Sequence, residues 1–408
     1  MAMKQTQTKY FDFSDVGLDF CAGSKSLFPD RFKKMLTLGY NVQTVTSVAV
    51  AGNQVTFTYG GAHGYVADRV LKVNAPELLS INNGEFVIDS VTTNTVTMTI
   101  DGAPGLIAGD FKTNIASLGY QLVYEQNPVQ LYKFKALDES DLFLRLVFTT
   151  ASTNRNTVSV CIGAQADIAT GVITDQESYE LTRNNPTVND HLKWEFQYSN
   201  NATFNNYTYT QGYSEFGRGC IVGSKYHFVI LSNMSSVLSA GIVNGFLPVI
   251  TPYDNLKLPV ILGFVNNAAG SGYNTKGLSY ATFAYLGKVS VAFDAMNGSS
   301  FPPFIFTTAK ANQSYLPATI EAFNTTTARP IAIYERSSRQ HLGFINGGMY
   351  ECMYANDVNA PSTDRTQTPL HTYDIDLNNK CIIHHIASNT GALNCQYLAF
   401  PVEEIKID

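Results

Sequence analysis

Seven short runs of β-branched and aromatic residues constrain what this chain can fold into. They are LFLRLVF (142–148), TVSVCIG (157–163), LKWEFQYS (192–199), YHFVILSN (226–233), LPVILGFVN (258–266), KVSVAFDA (288–295) and RPIAIYER (329–336). Gly, Asn, Pro and Ser clusters separate them, and most alternate with the period of two that marks a strand with one buried face. No stretch between them carries an apolar stripe at helical spacing long enough for a crossover. Parallel pairing needs crossovers, so the strands are expected to pair antiparallel and stack face to face. The fold class is therefore all-β: antiparallel β-sandwich or jelly-roll-like domains, one or two short helices, and a small inserted β domain.

The helical exceptions are brief. PDRFKKMLTLGY (29–40) sets Phe32, Met35 and Leu36 on one face, with Asp30 as N-cap and Gly39 as stop. NAPELLSI (74–81) offers a single turn behind Pro76.

The inserted unit begins with VTSVAVAGNQVTFTYGGAHGYVADRVLKV (45–73), which alternates, breaks at a Gly-His-Gly cluster and alternates again. INNGEF supplies an Asn-Gly turn, and TNTVTMTIDGAPG closes the unit near Asp101–Gly102. The flanking segment resumes at GYQLVYEQNPVQLYKF, and NGSSFPP (297–303) reads as a further joint. Four parts are expected: residues 1–40 with the short helix, 41–102 as the inserted domain, 103–300 as a central β-sandwich, and 301–408 as a C-terminal β domain or the second sheet of the central one.

Composition excludes several function classes. The net charge is −6 and the one basic knot is Arg31–Lys34. Phosphate neutralisation needs clustered cations, so nucleic acid is not an expected partner. Only 15% of residues are charged, against roughly a quarter in typical soluble domains. Uncharged polar side chains take their place, and these are easier to desolvate at a contact. The 25 Phe and 23 Tyr argue against disorder. The six cysteines (21, 161, 220, 352, 381, 395) form no Cys-x-x-Cys and are expected to be reduced and mostly buried. No apolar run reaches membrane-spanning length, and MAMKQTQTKYFDF lacks a signal-peptide core, so a cytoplasmically made chain without a membrane segment is expected.

The aromatic stretch YSNNATFNNYTYTQGYSEFGRG (198–219) is the candidate contact loop. Tyr198, Phe204, Tyr207, Tyr209, Tyr213 and Phe216, spaced by Asn and Thr, suit a stacking surface for a glycan or an adaptable protein contact. The competing expectation is a hairpin tip folded back on its own sheet.

Other motifs read as ordinary structure. In CIIHH, Cys381 and His385 share a strand face while His384 points away, and zinc would need two further ligands from His371, Cys352 or Cys395. A hydrogen-bonded strand histidine is the simpler account. DIDLN (374–378) opens like a calcium loop but has Asn379 where the turn glycine belongs and His385 at the bidentate glutamate position. GYSEFG (212–217) and GSGYNTKG (270–277) miss the nucleophile-elbow and phosphate-loop spacings and read as turns. Asp138, Glu139 and Asp141 could supply paired carboxylates for glycoside hydrolysis, but their adjacency suits a turn. No catalytic set, metal or cofactor is expected, and the chain is read as a non-enzyme.

The inserted unit resembles the small β modules of bacteriophage tail and other virion proteins. The matching residues are His63, Gly64, Asp68, Arg69, Val70, Asn83, Gly84, Phe86 and Val87, with Ala67 where those modules often carry glycine. LYKFKALDESDLFLRLVFTTAS, IGAQADIATGVI, RQHLGFINGGMYECMY, KCIIHHIASN and NCQYLAFPVEEI are similar to segments of long virion structural proteins of tailed phages. The resemblance implies a virion structural component of tail, baseplate or neck. Its expected partners are copies of itself, in a ring or spike, and neighbouring tail, baseplate or neck proteins. A host-surface glycan is a further candidate partner, and a receptor-binding tail protein or a capsid decoration protein is the alternative role.

Overall fold

The computed structural model describes residues 8–75, 81–150, 156–187, 191–196, 202–234, 237–263, 283–293, 327–353, 370–374, 379–387 and 395–402. Their strands pair antiparallel throughout and make an all-β fold, as the missing crossovers dictate. The seven β-branched and aromatic runs each fall on a strand: Asp141–Phe148, Thr157–Gly163, Lys193–Glu195, His227–Met234, Val260–Gly263, Val289–Ala292 and Ala332–Glu335.

The short helix lies where expected and starts earlier. Phe28–Lys33 is α-helical and Lys34–Leu38 continues it as a π turn, ending at Gly39 with φ +75°. Asp30 is not the N-cap. Leu27 holds that place, because Pro29 with its fixed φ suits the first helical positions. Asp30 instead pairs within the helix with Arg31 and Lys34, at 2.6 and 3.1 Å. Phe32, Met35 and Leu36 are all fully buried. Of NAPELLSI, residues 76–80 lie outside the described residues.

A seven-stranded sheet spans Tyr40 to Ile115 in the order Glu85–Val87, Val70–Asn74, Phe111–Ile115, Tyr40–Ala51, Gln54–Tyr59, Thr95–Thr99, Ser90–Val91. Its two outermost strands are separated in sequence by Ile88 and Asp89 alone. One bent segment thus serves both edges and curls the sheet onto a core of Val55, Phe57, Val73, Phe86, Ile88, Val96 and Met98. At the Gly-His-Gly break, His63 Nδ1 accepts from the Tyr65 N–H at 2.9 Å, and Nε2 lies 3.0 and 3.1 Å from the carbonyls of Thr92 and Thr95. The histidine staples a turn.

The sheet reaches beyond Gly102, since Phe111–Ile115 pairs on both sides, Phe111 with Val45 and Ile115 with Leu71. The chain comes in at Tyr40 and leaves at Ile115, and these two are register partners. The Leu118 and Tyr120 N–H groups then donate to the Met35 and Leu36 carbonyls at 2.9 and 2.8 Å. The main chain therefore resumes beside the helix it left.

Two further sheets pack around an aromatic core. The five-stranded one runs Lys193–Glu195, Thr157–Gly163, Asp141–Phe148, Val129–Lys135, Gln121–Gln126. The ten-stranded one runs from Lys9–Asp12 through Gly219–Ser224, His227–Met234 and Val237–Leu247 to Val260–Gly263, Phe283–Leu286, Val289–Ala292, Ala332–Glu335, His341–Ile345 and Val249–Ile250. Only Pro248 separates Val249–Ile250 from Val237–Leu247, so this sheet too curls until one segment pairs at both ends of a run of strands. Phe13, Phe20, Phe28, Phe32, Phe148, Trp194, Phe196 and Phe228 fill the space between, and Trp194 Nε1 donates to the Leu262 carbonyl at 3.0 Å. A C-terminal sheet of Thr327–Arg329, Tyr350–Met353, Cys395–Pro401, Asn379–Ala387 and Leu370–Asp374 adds Ile382, Leu398 and Phe400 to a second core shared with Val243, Leu247 and Leu262.

Candidate contact surfaces

The aromatic stretch is helical where a loop was expected. Tyr209–Phe216 forms an α-helix, because Thr208 and Gln211 stand at capping-box spacing. Gln211 Oε1 accepts the Thr208 N–H at 3.0 Å. A hairpin tip is excluded for these residues by the same observation. Gly212 lets the helix approach the N-terminal segment, since a Cβ there would sit 2.5 Å from Cys21 Sγ. Phe216 is buried with its ring over Gly23.

This clamp divides the six candidate aromatics. Phe216 belongs to the core, and Tyr207 is half-buried edge-on to it, 6.5 Å between centroids. Tyr209 and Tyr213, one turn apart, stack at 5.5 Å and 25°. Tyr213 is 39% exposed and has the Arg218 guanidinium 4.9 Å from its ring centre. Burial raises the Tyr209 hydroxyl pKa, with Arg218 opposing. Phe204 lies in the 3-10 turn Ala202–Asn206; its side chain and Tyr198 lie outside the described residues. The outward surface is one ring, the edge of another and a guanidinium.

A second surface escaped the sequence reading. Ile250 and Phe344 are register partners, 56% and 41% exposed, on neighbouring strands. Tyr253, three residues after Ile250, is also exposed, its hydroxyl accepting from Gln340 Nε2 at 2.9 Å. His341 packs edge-on to Phe344 at 4.9 Å and to Tyr334 at 5.4 Å. Strict alternation puts Leu342 and Phe344 on one face. A register shift between Ile333 and Tyr334, with Gly343 at φ +140°, breaks the alternation. Leu342 and Ile345 then point inward and Phe344 outward.

Two members of the acidic cluster are ion-paired, and Asp138 accepts from the Ser140 N–H and Oγ. Glu139 meets Lys225 at 2.7 Å, and Asp141 meets Lys135 at 2.7 Å and Lys133 at 3.3 Å. Hydrogen bonds hold all three carboxyls below their usual range, from Ser140 to Asp138, from Lys225 to Glu139 and from Lys135 to Asp141. A glycosidase acid needs the opposite shift. His384 Nε2 lies 3.0 Å from the Ile242 carbonyl of another sheet, and Cys381 is buried. Among the described residues no three His, Cys, Asp or Glu side chains cluster as a metal site. The side chains of His371, His385, Cys352 and Cys395 lie outside them, as do residues 375–378 of DIDLN and all of GSGYNTKG. GYSEFG falls within the helix and its C-cap Gly217 rather than on a strand-turn-helix corner. Among the described residues no helix is long and apolar enough to cross a membrane.

No family model matches the chain, and no curated protein does. Among solved structures, the phage phi92 endosialidase superposes with a TM-score of 0.16 and 8% identity, over 90% of this chain and 52% of that one. This chain thus spans about half the length of that protein. A TM-score of 0.16 does not amount to a shared fold.

Proposed function

We propose that this chain is a structural subunit of a tailed-bacteriophage virion, in the tail or baseplate, acting by association with copies of itself and with neighbouring virion proteins. The observation that carries the reading is the uncharged outward patch of Ile250, Tyr253 and Phe344. On a chain of net charge −6, an uncharged apolar surface is where like copies meet without charge repulsion. The virion-type pattern from His63 to Val87 and the low charged fraction support the same reading. So does the ionised state of the acidic cluster, which suits structure better than hydrolysis.

Light scattering on a size-exclusion column across a concentration range, with labelling of intact particles, tests it. An oligomer that Ile250→Ser with Phe344→Ser dissociates, found at one location on the particle, is the expected outcome. A strict monomer absent from particles sinks the proposal, and labelling on the capsid surface instead favours a decoration protein. A second reading, glycan or receptor binding, draws on the Tyr209–Tyr213 stack beside Arg218. Glycan or cell binding that survives Tyr213→Ala with Tyr209→Ala removes its motive.

A further inference from the structure

A groove of about 720 Å³ opens beside the five-stranded sheet, a size suited to a small molecule. Its frame is fixed from within the fold. Arg145, buried on the strand Asp141–Phe148, donates from Nε to the Gly171 carbonyl at 2.8 Å and from Nη1 to the carbonyls of Thr182 and Asn185 at 3.1 and 2.9 Å. Thr182 Oγ1 adds a bond to the Val160 carbonyl at 2.8 Å. A segment tied at four points to the sheet beneath it is preorganised, so a ligand meets little ordering cost.

The lining is polar and balanced in charge. Arg183 bonds Gln176 Oε1 at 2.8 Å and faces Glu180 at 3.9 Å, so the groove offers no net field to a phosphate or a polyanion. The side-chain amide of Asn184 both donates and accepts, which matches hydroxyl groups that do the same, while Gln176 and Asn185 are held by bonds within the fold. Asn185 Oδ1 accepts from the Thr187 N–H and Oγ1 at 3.0 and 2.8 Å. Its Nδ2 is thereby turned to His191 Nε2 at 3.1 Å. His191 Nδ1 itself is buried and has no hydrogen-bond partner among the described residues. Leu181, 50% exposed, lines the groove with Val172 and Pro186 and offers an apolar flank for the C–H face of a sugar ring.

We infer that this groove is a binding site for a neutral saccharide, separate from the Tyr209–Tyr213 surface and independent of the structural-subunit reading. Saturation-transfer NMR on the full chain, with maltotriose, cellotriose and triacetylchitotriose as neutral probes and a glucuronate-containing trisaccharide as the acidic one, tests it. Transfer to at least one neutral probe is expected. Leu181→Ser with Asn184→Ala, both at exposed positions, should weaken it roughly tenfold or more, the scale of one lost hydrogen bond with its apolar contact. Tyr213→Ala should leave it unchanged. Absence of transfer to every neutral probe overturns the inference. So does transfer to the acidic probe alone, transfer that survives the groove variant, or transfer lost in Tyr213→Ala.

Discussion

Asp15 and Arg69 show at single-residue scale how the inserted unit is held. The guanidinium engages the carboxylate through Nε at 2.8 Å and Nη2 at 2.9 Å, and both groups are buried. Tyr10 lies under the guanidinium, 4.0 Å from ring centre to Cζ, and the Tyr40 hydroxyl donates to Asp15 at 2.7 Å. Burial alone works to lower the Arg69 pKa, but the Asp15 charge outweighs it and the net shift is upward. Removing one member of a buried pair strands the other, so Arg69→Met should cost about 3–5 kcal/mol in urea denaturation. Arg69→Lys should recover only part of that, because a point charge cannot make the paired contacts. A loss under about 1 kcal/mol for Arg69→Met would place the pair in the weak class of solvent-exposed bridges. His227 makes the opposite case, a buried imidazole with no counter-ion among the described residues. Its Nδ1 lies 2.9 Å from Ser224 Oγ, and its Nε2 has no partner among the described residues. Burial lowers its pKa to about 3. The unfolded chain therefore binds a proton that the folded chain refuses. The stability this group confers is complete above the unfolded value near 6.5 and is lost as pH falls from there towards about 3, at up to about 1.4 kcal/mol per pH unit. Denaturation curves across that window should be flatter for His227→Gln, and an unchanged pH slope would refute the assignment.

Among elements, legibility follows how local the deciding physics is. The central strands were legible because both of their flanks bury apolar residues, as the all-buried Thr157–Gly163 does. Phe111–Ile115 was not, because Lys112 and Asn114 interrupt its pattern and its place is decided by partners far away in sequence. The helix Tyr209–Phe216 had a local signal in Thr208 and Gln211, which the density of β-prone Tyr and Thr obscured. The division of Tyr207, Tyr209, Tyr213 and Phe216 between core and surface was not legible, because Gly212 and Gly23 decide it by letting the backbone close in. The Phe344 patch was hidden by a one-residue change of phase, and nothing short of the register reveals that. Gly343 is the residue that makes the change possible, since a Cβ there would lie 2.0 Å from the Ile250 carbonyl oxygen at φ +140°. Gly343→Ala should therefore destabilise by about 2–4 kcal/mol, backbone strain and overlap together. It should also disturb self-association, as Phe344 is re-aimed. Thermal denaturation within a few tenths of a kcal/mol of the parent would show that the bulge tolerates a side chain.

For the whole molecule, the inserted unit raises a question that its position cannot answer alone. Its ends are neighbours, Tyr40 beside Ile115, which is how a separable domain is attached. Its core argues otherwise. Buried residues run without a break from Phe57 and Phe86 through Leu71 and Tyr40 into Phe11, Phe13 and Phe32. Three ion pairs cross the same junction: Arg69 to Asp15, Lys9 to Glu85 at 2.7 Å and Lys380 to Asp68 at 2.6 Å. Lys9 is itself buried, and burial holds its pKa down against the pull of Glu85. A unit joined by continuous packing and desolvated charge cannot open without exposing the body's own core. Calorimetry on the full chain should then show the unit and the body unfolding in one transition, with no separate low-temperature step for residues 40–115. Arg69→Met should lower that single transition rather than split it. Two resolved endotherms in the parent chain, or a protease fragment of 40–115 released intact under native conditions, would mean that the junction is a hinge and that the shared core does not couple the two parts.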